Sequence, residues 1–152
     1  MPRRKIAVIT ESRADYGIQL PVLKAIQDCP ELELNLIVTG MHLLKEHGET
    51  WREIHNDGFA FQSMEFAPLT ACIDGSDWLI VLGDRMPHLE AAIEATKLGI
   101  PIAHIQGGDV TSGACIDEQA PADNVLPISR MDHNFPDVVA VRPGTPGCFL
   151  CC

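Results

Sequence analysis

The 152-residue sequence is short of positive charge. It has 11 Lys and Arg against 21 Asp and Glu, for a formal net charge of -10. Nucleic-acid binding needs clustered basic side chains, so no nucleic-acid partner is expected. Long hydrophobic runs are also missing, and nothing approaches the ~20 apolar residues of a membrane span. The run at residues 6–9 behind Met1-Pro2-Arg3-Arg4-Lys5 is too short for a signal-peptide core, so a cytoplasmic protein without a membrane partner is expected. Neither a GxGxxG dinucleotide fingerprint nor a GK[ST] P-loop occurs, and no cofactor is expected. Of six cysteines, Cys29, Cys72 and Cys115 stand singly and Cys148, Cys151 and Cys152 are bunched. The Cys148–Cys151 CxxC has no second pair and no His at finger spacing, so no metal site is expected.

With 46% hydrophobic and 21% charged residues, the chain has the composition of one globular domain. Its centre is the stretch 79–113. Leu79-Ile80-Val81-Leu82 runs into Gly83-Asp84-Arg85, a helical pattern covers 89–98, and Ile102-Ala103-His104-Ile105 runs into Gln106-Gly107-Gly108-Asp109. Strand, turn, helix, strand, turn is a βαβ unit, and ligands of open parallel sheets sit off the carboxyl ends of the strands.

The rest of the chain reads as more of the same. An apolar strand at 5–10 leads through Glu11-Ser12-Arg13-Ala14-Asp15-Tyr16-Gly17 to Leu20, Val22, Leu23 and Ile26 at helical spacing, with Pro21 expected in the first turn or so. A second strand covers 32–38. One helix then carries Met41, Leu44, Gly48, Trp51 and Ile54 on a face, with His42, His47 and His55 as surface or half-buried histidines. A short strand at 59–66 leaves only residues 67–77 before the next, so either that strand is misplaced or the crossover is a bare loop. A helix can open at 112–118, and 135–141 reads as a last strand. The expectation is an α/β fold: a Rossmann-like three-layer domain over 1–142 with a mostly parallel sheet, then an irregular Pro-, Gly- and Cys-rich tail over 143–152.

The polar residues at the strand ends are Arg13, Asp15, Thr39, His42, Asp84, Arg85, His104, Gln106, Asp109, Asp117 and Glu118. Carboxylates and arginines around one crevice can abstract and return a proton if their surroundings separate their pKa values. Arg13 can equally be a solvated or capping side chain, Asp84 a helix cap and Asp109 a turn residue.

Four segments in order carry a resemblance. They are Thr10-Glu11-Ser12-Arg13-Ala14-Asp15-Tyr16-Gly17, Ile37-Val38-Thr39-Gly40-Met41-His42-Leu43, Val81-Leu82-Gly83-Asp84-Arg85, and His104-Ile105-Gln106-Gly107-Gly108-Asp109-Val110-Thr111-Ser112-Gly113 followed by Ile116-Asp117-Glu118. Together they resemble the amino-terminal half of the hydrolysing UDP-N-acetylglucosamine 2-epimerases, in the branch that feeds sialic-acid and related nonulosonic-acid synthesis. The resemblance implies the first of two Rossmann-like domains of a glycosyltransferase-B fold, with the active site between them. It implies that a base takes the C2 proton as UDP leaves C1, and that water adds to the glycal-type intermediate to give N-acetylmannosamine. Carried over, Asp84, Asp117 and Glu118 fall among the catalytic carboxylates. Arg13 lies near the nucleotide phosphates, and Asp15, His42, Arg85, His104, Gln106, Asp109 and Ser112 bind substrate.

The sequence departs from the family in places. Gln106 stands where the family often has Glu or His. Met86-Pro87 replaces an acidic residue two positions after Arg85, and Gln119-Ala120-Pro121 replaces a Ser-Ile-Arg-His-Ala helix. The expected partner is a UDP-sugar, with a second domain or another copy of the chain supplying the opposite wall. One wall by itself does not exclude water or clamp both ends of a sugar nucleotide. The readings are therefore a partial hydrolysing epimerase or a non-catalytic sugar-nucleotide-binding relic. A flavodoxin-like domain would need an FMN or dinucleotide loop, which is not found.

Overall fold

A computed structural model describes residues 2–65, 67–83, 85–106 and 138–141. Six parallel strands form one sheet, β1 (Arg4–Thr10), β2 (Leu32–Val38), β3 (Phe61–Ser63), β4 (Trp78–Leu82), β5 (Ile102–Ile105) and β6 (Val138–Val141). Their order across the sheet is β3-β2-β1-β4-β5-β6. This is the doubly wound Rossmann order, and its reversal lies between β1 and β4. Within the described residues of 79–113 the expected strand–helix–strand order is present, since β4 and β5 pair in parallel through α4 (Met86–Lys97).

The central strands are buried on both faces, as a parallel sheet requires. Ile6 and Val8 pack with Leu23 and Ile26 of α1 (Arg13–Asp28) and Ile54 of α2 (Trp51–Asn56). Ala7 and Ile9 face the other way, against Cys72 and Ile73 of α3 (Leu69–Ile73) and Leu89, Ala92 and Ala95 of α4. Alternate residues of β1 thus feed two layers, which puts α1 and α4 on opposite faces of the sheet.

Several expectations are corrected. Pro21 is inside α1 rather than in its first turn, because Ser12 caps the helix and accepts from the Asp15 amide at 3.4 Å. The single helix expected from Met41 to near Asn56-Asp57-Gly58 is two 3-10 turns, Gly40–Leu43 and Lys45–His47, followed by α2, which ends at Asn56. Gly48 at φ +82 and Glu49 at φ +49 are left-handed, which no continuous helix accommodates.

The short crossover is not a bare loop. It carries α3, and Asn35 of β2 fastens it, donating from Nδ2 to the Cys72 carbonyl at 2.8 Å and the Ser76 hydroxyl at 3.3 Å. Gln62 of β3 donates to Asn35 Oδ1 at 2.6 Å, so one buried amide joins β2, β3 and the crossover. α4 begins at Met86, three residues before the expected 89, with Pro87 in its first turn and Arg85 at its N-cap position. No described helix is long and apolar enough to cross a membrane.

Candidate functional site

The polar residues converge where β1 and β4 part. Register between these strands stops at Val8↔Ile80, although each runs two residues further. Backbone groups flanking the next rung find side chains instead. The Ile9 carbonyl accepts from Gln19 Nε2 at 2.8 Å, and the Leu82 amide donates to His88 Nδ1 at 3.3 Å. Both side chains are fully buried, one from each helix layer. A buried backbone group left unpaired is costly, so these two side chains stabilise the parted strands.

Above the gap lie two acid–base pairs. Arg85 Nη1 is 2.5 Å from Glu11 Oε1, and His88 Nε2 is 3.5 Å from Asp15 Oδ2. Because His88 Nδ1 accepts the Leu82 amide, the ring proton belongs on Nε2, where it is donated to Asp15. Burial raises the Asp15 pKa, but the His88 contact and the Arg85 charge, with the Ser12 hydrogen bond, outweigh it and hold the carboxyl below its ordinary 3.8. Glu11 is only 6% exposed and is overlaid by Gly40. Gly40 has φ +56, and a Cβ there would come within 3.1 Å of Glu11 Cβ and Oε2. The turn is tied down by the His42 amide, which donates to the Glu11 carbonyl at 3.1 Å.

Asp15 and Arg85 each enter an acid–base pair at this parting, with His88 and Glu11 as the partners that sequence reasoning missed. His88 was recognisable as a polar residue on the apolar stripe it shares with Ala91, Ala92 and Ala95. Glu11 lies in the segment that follows β1 and carries no periodic signal.

The other described site residues make contacts of their own. Arg13 is exposed and pairs with Glu53 Oε2 at 3.2 Å. His42, expected at or near the surface, is fully buried. Its Nε2 lies 3.1 Å from the Thr10 hydroxyl and its Nδ1 2.7 Å from that of Thr50, so both ring nitrogens are engaged. Burial pushes the His42 pKa down despite the opposing charges of Asp15 and Glu53. His104 is buried and donates from Nε2 to the Gly83 carbonyl at 2.7 Å. Gln106 closes β5 at φ +62. Asp84, Asp109, Ser112, Asp117 and Glu118, with the expected helix at 112–118 and the tail, lie outside the described residues. Among the described residues no group of three His, Cys, Asp or Glu side chains could hold a metal ion.

A sequence profile of the UDP-N-acetylglucosamine 2-epimerase family matches residues 72–120, which include β4, α4 and β5. A hydrolysing UDP-N,N'-diacetylbacillosamine 2-epimerase of Legionella pneumophila is 35% identical over 127 residues, covering 70% of this chain and 34% of the relative. Over the part of these relatives that it spans, the chain is similar to the UDP-N-acetylglucosamine 2-epimerase family. Another member, the hydrolysing GDP/UDP-N,N'-diacetylbacillosamine 2-epimerase of Campylobacter jejuni, is 28% identical over 88% of this chain and 38% of its own length. The chain therefore spans about a third of the length of these curated relatives. Among solved structures, the Neisseria meningitidis UDP-GlcNAc 2-epimerase bound to UDP-GlcNAc superposes with a TM-score of 0.65 at 14% identity. That match covers 90% of this chain and 46% of that one. At that identity the likeness is one of fold, the Rossmann-like domain of the epimerase family.

Proposed function

We propose that the chain forms one wall of the active site of a hydrolysing UDP-N-acetylglucosamine 2-epimerase, converting UDP-GlcNAc to N-acetylmannosamine and UDP in the cytoplasm. The observation that carries this reading is Arg85, held by Glu11 beside the parting of β1 and β4, where a doubly wound sheet takes its ligands. A guanidinium there can balance charge that develops on a departing diphosphate.

In this reading a base removes the C2 proton while the C1–O bond breaks, its electron pair leaving with UDP. Water then adds across the C1–C2 double bond, hydroxyl to C1 and proton to C2. Asp84, Asp117 and Glu118 are the carboxylates proposed for the proton transfers, a role that needs separated pKa values. Arg13, Asp15, His42, Arg85, His104, Gln106, Asp109 and Ser112 are proposed on the substrate side. His42 and His104 act there by shaping the wall, since each has a ring nitrogen committed within the fold. A second domain or a second copy of the chain supplies the opposite wall.

The test is incubation with UDP-GlcNAc, with the remaining length of a family member supplied as a separate chain, followed by NMR of the sugar products. UDP and N-acetylmannosamine are expected. UDP-N,N'-diacetylbacillosamine, the sugar nucleotide named for the Legionella relative, is the comparison substrate. Binding without turnover in every combination would favour the non-catalytic relic.

A further inference from the structure

The His88 side chain has no exposed surface, so it does not touch a ligand in the crevice. It nevertheless joins three things: the Leu82 amide at the end of β4, Asp15 on α1 and its own helix α4. α1 and α4 lie on opposite faces of the sheet, and the His88–Asp15 contact bridges them across the β1–β4 gap. The two ends of the imidazole do different work. Nδ1 completes the backbone of β4 and Nε2 presents its proton to Asp15, while the His88 amide donates to the Arg85 carbonyl at 3.0 Å, so the histidine is tied by its backbone to the residue that carries the guanidinium.

We propose that His88 is a positioning residue. Locked by the Leu82 amide, it fixes Asp15, and Asp15 together with Glu11 sets the Arg85 guanidinium at the floor of the crevice. Only the ligand's identity rests on the sugar-nucleotide reading above; the relay is a property of the unliganded chain. A histidine that merely filled the core would leave Arg85 indifferent to its replacement. A histidine acting through Asp15 would not.

Two substitutions separate the ends of the ring. In His88→Asn the side-chain carbonyl stands near the place of Nδ1 and can still accept the Leu82 amide, but it is too short to reach Asp15. In His88→Gln the amide extends toward the place of Nε2 and can donate to Asp15 again. The experiment is nitrogen-15 NMR of the histidine ring and arginine side chains in the ligand-free protein, followed by titration with UDP-GlcNAc. In the wild type, His88 is expected as the Nε2–H tautomer. His88→Asn should keep a dispersed backbone amide spectrum while moving or averaging the Arg85 side-chain signals, and should weaken UDP-GlcNAc binding about tenfold, as loss of a hydrogen bond to a charged group does. His88→Gln should restore both.

If His88→Asn does not fold, Asp15→Asn provides the second test, because it keeps the acceptor for His88 and removes only the charge that Arg85 feels. The same Arg85 signals should then move. Unchanged Arg85 signals in a folded variant, or a wild-type Nδ1–H tautomer, overturn the proposal. If the wild type fails to bind UDP-GlcNAc while the Arg85 signals respond as described, the ligand reading falls and the relay stands.

Discussion

Arg85 Nη1 lies 2.5 Å from Glu11 Oε1, a contact between residues 74 apart in sequence that joins the turn after β4 to the turn after β1. The carboxylate is nearly buried and the guanidinium is 41% exposed, so the pair is only partly screened by water. Arg85→Ala should strand Glu11 in a poorly solvated place. The expected loss is about 1–2 kcal/mol, measured as a shift of the urea unfolding midpoint. Glu11→Gln in the same background should recover part of it. A double-mutant cycle reporting no coupling would mean the contact contributes nothing to the fold.

Gly40 and Gly17 make a matched test of the wall behind Glu11. Gly40→Ala places a Cβ 3.1 Å from Glu11 side-chain atoms at φ +56, and it should destabilise by about 1–2 kcal/mol while displacing the Arg85 partner. Gly17→Ala meets nothing within 4 Å and lies in α1, so it should stabilise by about 0.5–1 kcal/mol. Thermal melts of the two variants check both signs.

The parallel sheet and its βαβ centre were legible because a strand buried on both faces leaves a continuous apolar run, as at residues 6–9 and 79–82. What misled was backbone geometry that periodicity does not encode. Met41, Leu44, Trp51 and Ile54 kept helical spacing across Gly48 and Glu49, whose left-handed φ values break the helix. Asn35 gave no sign that it fastens α3, because a buried amide is defined by partners 27 to 41 residues away. At the site, Asp15 and Arg85 were readable as polar residues at strand ends. His88 was missed because it belongs to a helix face, and its meaning depends on the amide of Leu82 and a carboxylate on the opposite layer.

The Asn35 junction carries its own prediction. Asn35→Ala removes two donors and an acceptor from a buried cluster and leaves Gln62 Nε2 without this partner. A loss of about 2–3 kcal/mol is expected. Hydrogen exchange should show the effect concentrated at α3 and β3. Exchange raised uniformly across the sheet would contradict a local fastening role.

Acid should weaken the fold in two steps of known sign. His42 has its pKa lowered below the ordinary 6.5, chiefly by burial, so its contribution is complete above pH 6.5 and is lost as pH falls from there through the lower folded value. Asp15 is held below 3.8, so its contribution is present above that pH and disappears only as pH drops through its own lower folded value. Urea midpoints measured from pH 8 to pH 3 should fall below 6.5, and His42→Gln should flatten that first limb. A first limb unchanged in the variant would show that another group causes it.

The central claim is that the crevice at the β1–β4 parting takes a sugar nucleotide through Arg85. The most direct measurement is an NMR titration of the chain with UDP-GlcNAc, following backbone amides and arginine side chains together. The account predicts saturable shifts at residues 11–16 and at Arg85, lost in Arg85→Ala. Saturable shifts confined to another part of the chain, or none at millimolar UDP-GlcNAc, would contradict it.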